Sequence, residues 1–530
     1  MFDVIVIGGG INGTGVARDC AMRGLSVLLL EKRDFGVGAT GNSSGMIHGG
    51  LRYLLSDATV TRKSCEDSGY IQRIAPHLLF RIPLLVPQPG RGLLARWRLE
   101  LVEAYLETYD RFVHLKNGMP HTRLTRDEAC TLVPGLVPDI AGAVTTDEWG
   151  IDPYRLCVAN ALSAARYGAQ VRLGVEVVGF LRDGAAVCGV VVRNGATGGT
   201  EEVRARAVVN ATGPWLMKMA AVAGVQAEIR PAKGIHIVLD RRIAPCGVVV
   251  NAIDGRQIFV LPYDNVSLIG TTDDDYYGDL DDIPILADEV EYLLQGIEHA
   301  IPDIRKYRRI RATAGLRPTI HKWGVNEDAL SRDHVILDHG HRDGAQGLWT
   351  VLGGKLASYR LMSEEATDAV CGALGNKERC RTHEVPLPGG EARYDMADAA
   401  RRYGWPLWAV ERLVSRHGTR AELVLRLGKE NPGWRRMLCD CEGVTEAEVR
   451  FVVREEWARS LGDVARRTRL GFGPCAGQRC AREAAEIVAE ERGLDAWAPG
   501  DLVREFEREM RPWRTSVLGG VKGDREVVHS

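Results

Sequence analysis

The segment from Val4 to Glu31 constrains the fold of this chain more than any other. It opens with the apolar run VIVI, which predicts a strand buried on both faces. Gly8, Gly10 and Gly13 follow in the G-x-G-x-x-G spacing, before a helical segment and a second strand that ends at Glu31. Glycines in this order allow a tight turn, close approach of a pyrophosphate and packing of the helix on the strand. The segment therefore predicts a dinucleotide site in a Rossmann-like α/β domain, with Glu31 accepting hydrogen bonds from ribose hydroxyls.

A second turn bears on which dinucleotide is bound, because FAD and NAD share the first motif. The short apolar run from Ala207 to Asn210 runs into Ala211, Thr212 and Gly213. A strand that ends in A-T-G far downstream resembles the second FAD-contacting turn of flavoproteins. Together the two turns favour FAD, while an ordinary turn at the end of a strand is the alternative for the second motif alone.

Length and composition set the class of protein. A chain of 530 residues predicts about three or four domains. The formal net charge of −2 gives no reason to expect nucleic acid binding, and the sequence contains no apolar run long enough to span a membrane. Because the first strand follows Met1 almost directly, no signal peptide is expected, so the chain is predicted to be cytoplasmic with reduced cysteines.

A tract crowded with small residues, from Phe35 to Leu54, follows the first motif. Glycine and serine at this density let a backbone pass close to a flat ligand. Arg52 and Tyr53 close the tract with a cation and a phenol. We interpret it as a wall of the flavin and substrate pocket, the alternative being a flexible loop with a surface arginine.

Residues 225–320 alternate short strands and turns, which predicts an antiparallel sheet laid against the FAD domain. Lys233 and His236 lie at the start of its first strand, and His236 is either a catalytic base or a satisfied core residue. Arg317 lies between Gly315 and Pro318, where a rigidly held cation suggests an anion site.

A further strand, from Trp349 to Leu352, ends at Gly353, Gly354 and Lys355, and a helix is predicted to start near Ser358. The amino terminus of that helix would place positive potential near the flavin. Lys355 could add charge there or bind a phosphate, and a plain strand–helix turn is the alternative.

Four of the twelve cysteines lie close together near the carboxyl end: Cys439, Cys441, Cys475 and Cys480. Four thiolates at two tight turns indicate a closed tetrathiolate site, which zinc or a 2Fe–2S cluster could occupy. The C-x-C spacing fits zinc knuckles poorly and favours the cluster. Arg466, Arg467 and Arg469 just before the second pair could offset its negative charge or form a solvated basic face.

These motifs together resemble one family. IGGGINGTGVARD, SSGMIHGGLRYL, VVNATGPW, KGIHIVL, LIGTTD, GLRP, SRDH and GGKLASYRL are similar to FAD-dependent glycerol-3-phosphate dehydrogenase over residues 1–390. The segments CDCEGVTEAEV and LGDVARRTRLGFGPCAGQRC resemble the ferredoxin-like, BFD-type 2Fe–2S domain found in the anaerobic-type enzymes of that family. Ala476 stands where that family usually has glutamine, and no cysteine ligand is lost by this change.

The resemblance implies specific contacts and a domain plan. The implied FAD contacts are Gly8, Gly10, Gly13, Glu31, Thr40, Ser43, Ser44, Ala211, Gly213, Gly353, Gly354 and Lys355. The implied substrate contacts are Arg52, Tyr53, Lys233, His236, Arg317, Arg332 and Lys355. The predicted domains are an FAD-dependent oxidoreductase domain (1–380, with FAD-binding parts at about 1–80, 145–225 and 320–380 and substrate parts at about 81–144 and 226–319), a linker and small helical region (381–432), a 2Fe–2S domain (433–495) and a tail (496–530).

The implied activity is oxidation of sn-glycerol 3-phosphate to dihydroxyacetone phosphate, with His236 as base and Arg317 orienting the C2 oxygen. Electrons would pass through the 2Fe–2S cluster to partner electron-transfer or membrane-anchor subunits and finally to a quinone, which places the protein at the inner face of the cell membrane. Two alternatives remain at this point: a flavin dehydrogenase of an amine or amino acid, and a non-catalytic electron-transfer protein.

Overall fold

The computed structural model describes residues 1–51, 54, 58–320 and 334–518. Within these residues the strands are β1 (Phe2–Ile7), β2 (Val27–Glu31), β3 (Leu79–Pro89), β4 (Thr122–Leu124), β5 (Ile140–Ile151), β6 (Gln170–Leu173), β7 (Val175–Asp183), β8 (Ala186–Asn194), β9 (Thr200–Asn210), β10 (Ile229–Leu239), β11 (Gly247–Asn251), β12 (Gln257–Tyr263), β13 (Val266–Gly270), β14 (Asp274–Asp275), β15 (Arg309–Ile320), β16 (His334–Asp338), β17 (Leu348–Gly353), β18 (Met437–Cys439) and β19 (Val444–Thr445). The helices are α1 (Ile11–Met22), α2 (Ala58–Ile74), α3 (Leu93–Val113), α4 (Arg126–Leu132), α5 (Pro153–Arg166), α6 (Leu216–Ala223), α7 (Ala287–Glu298), α8 (His339–Asp343), α9 (Tyr359–Leu374), α10 (Met396–Tyr403), α11 (Leu407–His417), α12 (Ala421–Glu430), α13 (Glu446–Glu455), α14 (Leu461–Thr468), α15 (Ala481–Arg492) and α16 (Ala498–Leu518).

The first sheet has the order β16-β17-β9-β1-β2-β6, and β8 and β7 extend it from β9. β1 pairs in parallel with both β2 and β9, so the first glycine turn and the A-T-G turn emerge at the same edge of the sheet. Val4 to Val6 are fully buried, as a parallel strand covered on both faces requires. The predicted Rossmann-like α/β domain is confirmed.

Helices α1, α5 and α9 cover one face of this sheet. The start of α5 is fixed by its cap, because Asp152 accepts hydrogen bonds from the N–H groups of Tyr154 and Arg155, both at 3.0 Å, and Pro153 is the first residue of the helix. α9 begins at Tyr359 after a short 3₁₀ turn, close to the predicted start near Ser358.

The second sheet has the order β14-β10-β13-β12-β11-β3-β5-β4, with β15 paired to β10. All its pairings are antiparallel except the short parallel contact between β3 and β11. It is built from two separate stretches of the chain, and α7 packs on one of its faces. The predicted antiparallel insertion is therefore confirmed.

The carboxyl-terminal helices α10 to α16 surround one hydrophobic core that also contains Cys439 and Cys480. Leu502, Phe506 and Met510 of α16 are buried in this core, so the tail helix packs on its own unit. Because residues on both sides of position 432 share this core, the predicted division there into a helical region and a 2Fe–2S domain stays a prediction.

Candidate active site

A cleft of about 840 Å³ lies between the first sheet and the second sheet. Both predicted FAD turns open onto it, together with the small-residue tract and the end of β17. The predicted residues that line the cleft are Gly8, Gly10, Glu31, Thr40, Ser43, Ser44, Ala211, Gly213, His236, Arg317, Gly353, Gly354 and Lys355. The structure thus brings most of the predicted site into one volume.

The two turns are packed so closely that only glycine fits at two positions. Gly8 has a φ of +111°, and a Cβ there would lie 2.6 Å from the carbonyl oxygen of Ala211. Gly13 does not line the cleft, but a Cβ on it would lie 1.9 Å from the carbonyl oxygen of Gly8. Gly10 precedes α1 without a capping side chain of its own, Thr40 accepts only from the N–H of Ile11, and the helix terminus lines the cleft as a potential anion-binding site. These residues fit the pyrophosphate of a dinucleotide.

Glu31 ends β2 beside this turn. Its carboxylate accepts hydrogen bonds from the N–H groups of Gly9 and Arg33, each at 2.7 Å. Burial raises the pKa of Glu31, and the two N–H donors oppose that shift. The carboxylate fixes the turn and still faces the cleft, where a ribose would reach it.

The small-residue tract is held in shape by its own side chains. The Asn42 amide donates to the carbonyl oxygens of Val37 and Gly38 at 2.9 and 3.0 Å. Thr40 Oγ1 accepts from the N–H of Ile11 at 3.2 Å, which ties the tract to the start of α1. Ser43 donates to the carbonyl oxygen of Thr40 at 2.7 Å. The tract therefore forms a shaped wall of the cleft.

His236 lies on β10 and lines the cleft. Its Nε2 is 2.9 Å from Ser44 Oγ, and its Nδ1 has no hydrogen-bond partner among the described residues. Gly270 on the neighbouring strand leaves room for the ring, because a Cβ there would lie 2.3 Å from His236 Cδ2. Burial, with a smaller effect from the Arg317 charge, lowers the pKa of His236 to about 3. The imidazole is therefore neutral at neutral pH.

Arg317 on β15 is fixed by three oxygens beside the cleft. Its guanidinium donates to Asp273 Oδ1 at 2.8 Å, to Thr271 Oγ1 at 3.0 Å and to the carbonyl oxygen of Thr272 at 3.2 Å. A Cβ on Gly234 would lie 2.5 Å from this guanidinium, so glycine there makes space for it. The arginine is pre-oriented for an oxyanion or carbonyl oxygen in the cleft.

Lys233 is not brought into the cleft. Its ammonium group is buried and forms an ion pair with Glu289 of α7 at 2.8 Å. Neighbouring residues of a strand point to opposite faces, so a lysine three positions before His236 faces the other side of the sheet. A substrate contact from Lys233 stays a prediction that the geometry of the cleft does not support.

Lys355 does line the cleft, after the positive-φ residues Gly353 and Gly354. Gly354 lies against Met362, since a Cβ there would meet its sulfur at 2.1 Å. Arg52, Tyr53 and Arg332, three of the predicted substrate contacts, lie outside the described residues.

The four predicted metal ligands lie as two pairs in the carboxyl-terminal unit. Cys439 and Cys480 are within hydrogen-bonding distance of each other, and so are Cys441 and Cys475. The hydrogen bond with Cys480 lowers the pKa of Cys439, to which the N–H groups of Gly471 and Glu442 also donate. All twelve cysteines lie in the described part of the chain, and none of them forms a disulfide. Among the described residues, no three or more His, Cys, Asp or Glu side chains are grouped so as to hold one metal ion.

The basic run before the second cysteine pair is buried rather than solvated. Arg466 and Arg467 are buried, and both bind the carboxylate of Asp34, at 2.7 and 2.8 Å. Arg469 is also buried and lies 2.9 Å from Glu442 and 2.9 Å from Asp264. The expectation of a solvated basic face is therefore wrong, because these arginines are buried against carboxylates, which include the local Asp463 as well as the distant Asp34 and Asp264.

Comparisons with known proteins identify the family. A family model described as FAD dependent oxidoreductase matches residues 3–360, and one described as the C-terminal domain of alpha-glycerophosphate oxidase matches residues 380–498. The A subunit of the anaerobic glycerol-3-phosphate dehydrogenase of Escherichia coli K12 is 38% identical over 495 residues, which cover 92% of this chain and 88% of that protein. This chain belongs to the FAD-dependent glycerol-3-phosphate dehydrogenase family.

Two further relatives agree with that assignment. Glycerol-3-phosphate dehydrogenase 2 of Mycobacterium bovis is 32% identical, over 99% of this chain and 90% of that protein. The crystal structure of glycerol-3-phosphate dehydrogenase from Bacillus halodurans, complexed with FAD, superposes with a TM-score of 0.78 at 25% identity, over 97% of this chain and 95% of that one. The chain is therefore an FAD-dependent enzyme of this family, and its described residues contain no helix that is long and apolar enough to cross a membrane.

The sequence did not predict which residues hold Arg317 and His236 in place in the cleft. Asp273 and Thr271, which hold Arg317, follow β13 within the segment LIGTTD, so an acid directly after a strand was the available signal. Ser44 was predicted only as an FAD contact, although the structure pairs it with His236. That pairing joins residues 192 positions apart and has no local signal.

Proposed function

We propose that this protein oxidises sn-glycerol 3-phosphate to dihydroxyacetone phosphate, with FAD bound at the two turns. The observation that carries the proposal is the single cleft that His236, Arg317 and the two turns line together. The relatives that share 32–38% identity with this chain are named glycerol-3-phosphate dehydrogenases.

The reaction removes a hydride from C2 of the substrate and a proton from the hydroxyl on that carbon. Bound FAD supplies the hydride acceptor. His236 takes the proton at Nε2, the nitrogen that lies 2.9 Å from Ser44 Oγ, while Nδ1 is enclosed by protein. A neutral imidazole is the form that can accept a proton, and the low pKa of His236 ensures that form in the free enzyme.

Arg317 polarises the C2 oxygen as it becomes a carbonyl. Asp273 and Thr271 hold its guanidinium, so little reorganisation is needed when charge develops on that oxygen. Lys355, at the end of β17, supplies a cation for the substrate phosphate. Arg52 and Arg332 are proposed to complete that phosphate site from residues outside the described part of the chain.

An Arg317→Ala variant tests the assignment against a flavin dehydrogenase of amines or amino acids. We expect retained FAD with loss of roughly 10³-fold in kcat/KM for glycerol 3-phosphate. The matched control is Arg230→Ala, which removes an arginine from the same sheet that is paired to Asp275 and does not line the cleft. Unchanged glycerol 3-phosphate turnover in Arg317→Ala, or flavin reduction by an amino acid instead, would contradict the proposal.

We also propose that the two cysteine pairs hold a 2Fe–2S cluster. Such a cluster takes two thiolates for each iron, and the pairing of Cys439 with Cys480 and of Cys441 with Cys475 fits this donor set. The N–H groups of Gly471 and Glu442 donate to Cys439, as expected for a thiolate ligand. When bound, the cluster supplies single-electron transfer toward partner subunits and a quinone.

Metal analysis of protein purified without oxygen separates this proposal from the zinc alternative. Two irons and two acid-labile sulfides for each chain are expected, from the stoichiometry of the cluster. A single zinc without sulfide would contradict it. Because the proposed quinone acceptor dissolves in lipid, we place the protein at the inner face of the cell membrane, bound to electron-transfer or anchor subunits.

A further inference from the structure

Two polar side chains lie in the apolar interior of the first sheet. Asn210, the last residue of β9, is 1% exposed, and Thr350 of β17 is fully buried. The two residues are register partners on neighbouring parallel strands, and the Asn210 amide donates to Thr350 Oγ1 at 3.4 Å. A buried polar group costs free energy unless it is hydrogen-bonded, so the partners of this pair show what it does in the core.

On one side, the pair is bonded to the second FAD turn. Thr212 donates to Asn210 Oδ1 through its hydroxyl at 2.7 Å and through its N–H at 3.3 Å. The Asn210 amide also donates to the carbonyl oxygen of Leu216, the first residue of α6, at 3.2 Å. Because Thr212 and Gly213 line the cleft, Asn210 fixes the shape of a turn at which FAD is proposed to bind.

On the other side, the pair is bonded to a buried histidine. His339, the first residue of α8, is fully buried, and its Nε2 lies 2.9 Å from Thr350 Oγ1. Its Nδ1 lies 2.5 Å from Asp343 Oδ2, one helical turn further along α8. The side chain of Asp343 is 18% exposed, so a chain of hydrogen bonds connects the protein surface to the turn. We call Asp343, His339, Thr350, Asn210 and Thr212 the turn network.

The acid at one end of the turn network determines the direction of its hydrogen bonds. An ionised carboxylate only accepts, so His339 Nδ1 carries a proton, and in the neutral ring Nε2 accepts from the Thr350 hydroxyl. The Thr350 oxygen then accepts from the Asn210 amide, which turns the Asn210 oxygen toward Thr212. Asp343 and His339 therefore fix which atom of Asn210 faces the FAD turn.

We propose that the turn network positions the second FAD turn, so that residues outside the cleft set how tightly FAD is held. Asp343 and His339 are positioning residues, because they act on FAD through Asn210 and Thr212 and do not themselves line the cleft. A turn that is already held in its binding conformation loses less conformational entropy when the cofactor binds. The inference rests on the proposed placement of FAD at the two turns, and it identifies what holds one of them.

Two substitutions of Thr350 separate positioning from packing. Thr350→Val keeps the volume and removes the hydroxyl, whereas Thr350→Ser keeps the hydroxyl and removes a methyl group. If Thr350 only filled space, serine would be the more harmful change, and positioning predicts the reverse. We expect the Thr350→Val holoenzyme to release FAD at least about tenfold faster than the unchanged holoenzyme, and Thr350→Ser to stay within about threefold. The fluorescence that FAD gains on leaving the protein measures the rate.

His339→Phe tests the histidine, with a matched control in the same helix. Phenylalanine keeps a ring and loses both hydrogen bonds, so FAD release should again be about tenfold faster. The control is His341→Phe, which breaks the exposed pair of His341 with Asp338 at 2.7 Å, and its FAD release should stay within about twofold. The double variant His339→Phe/Thr350→Val should release FAD at most about threefold faster than either single variant, since both changes break the same chain.

A spectroscopic readout reports on the turn itself. The visible circular dichroism of the bound flavin should change in Thr350→Val and His339→Phe, and it should be the same in Thr350→Ser, His341→Phe and the unchanged holoenzyme. The two Thr350 variants decide the question even where His339→Phe does not fold.

Two results would overturn the proposal: FAD release from Thr350→Val at the rate of the unchanged holoenzyme, and faster release from Thr350→Ser than from Thr350→Val. These measurements use no substrate. Failure of glycerol 3-phosphate to bleach the flavin would therefore refute the proposed oxidation and leave this test unaffected.

Discussion

The cleft and the cysteine pairs are built in different ways, although each is predicted to hold a redox group. The cleft is shaped by the backbone: Gly8 and Gly13 leave no space for a Cβ, and the helix terminus at Gly10 is open to the cleft. The cysteine site depends on four side chains that lie as two thiol pairs within a helical core. A backbone site is recognisable without its ligand, whereas a thiolate site acquires its final geometry with the metal.

The largest effect is expected from crowding the glycine turn. In Gly13→Val the new side chain would meet the carbonyl oxygen of Gly8, because even a Cβ lies 1.9 Å from it. We expect bound FAD to fall to below about a tenth of the normal content, since overpacking of this size displaces backbone. Flavin absorbance for each chain measures the result. The control is Gly372→Ala, a helical glycine with open space around it, and equal flavin in both variants would refute the backbone account.

Removal of one cysteine thiol should show whether the cleft and the cysteine pairs function independently. In Cys441→Ser we expect iron and sulfide to be lost, while bleaching of the flavin by glycerol 3-phosphate keeps its rate within about threefold, because the thiol lies outside the cleft. Iron analysis and stopped-flow absorbance are the measurements. Cys246→Ser, a buried cysteine in the core of the second sheet, is the control and should keep its iron. Loss of flavin reduction in Cys441→Ser alone would show that the sites are not independent.

The two regions are joined by a buried ion pair that can be broken selectively. Asp34, next to the first motif, binds Arg466 and Arg467 of α14. Asp34→Ala leaves two buried guanidiniums without this partner and should lower the free energy of unfolding by about 3 kcal/mol. The exposed pair of Lys32 with Asp281 provides the control Asp281→Ala, which should cost less than about 1 kcal/mol. Urea denaturation followed by tryptophan fluorescence measures both, and equal midpoints would contradict the prediction.

The ion pairs of Asp34 with Arg466 and Arg467 also make the stability of the folded protein depend on pH in a predictable direction. Burial acts to raise the pKa of Asp34, but the charges of Arg467 and Arg466 outweigh it and hold the pKa below the usual value of 3.8. Because the pKa of Asp34 is lower in the folded protein than in the unfolded chain, its carboxylate stabilises the folded protein at a pH above the unfolded-state pKa. That stabilisation is lost as the pH falls below this value. Unfolding midpoints should therefore decline below about pH 4 more steeply in the unchanged protein than in Asp34→Ala.

The smallest expected effect concerns His236 in the cleft, whose imidazole should not titrate near neutral pH. Because the pKa of His236 is lowered to about 3, its ring should not titrate between about pH 5 and pH 8 in the folded, substrate-free enzyme. Carbon-13 NMR of histidine-labelled protein measures this, and His236→Gln identifies the signal. In urea the same residue should titrate near its ordinary value of about 6.5. A folded-state midpoint near that value would show that the imidazole is solvated rather than enclosed.

The sequence predicted what local sterics and periodicity determine. The glycine spacing and the apolar run of β1 are local, and each appears in the structure as expected. The family resemblance implied substrate contacts at both Lys233 and His236, although the alternation of a strand places them on opposite faces. The partners of Arg466 and Arg467 could not be predicted, since Asp34 lies more than 430 positions away and only the folded chain brings it near.

In the proposed reaction, glycerol 3-phosphate reduces a flavin that is held by the amino-terminal fold. An anaerobic titration of the purified chain with glycerol 3-phosphate, followed by absorbance of flavin and iron together, tests it most directly. We expect the yellow flavin absorbance to be lost with substrate and the cluster absorbance to change along with it. A flavin that stays oxidised in excess glycerol 3-phosphate would contradict the proposed oxidation.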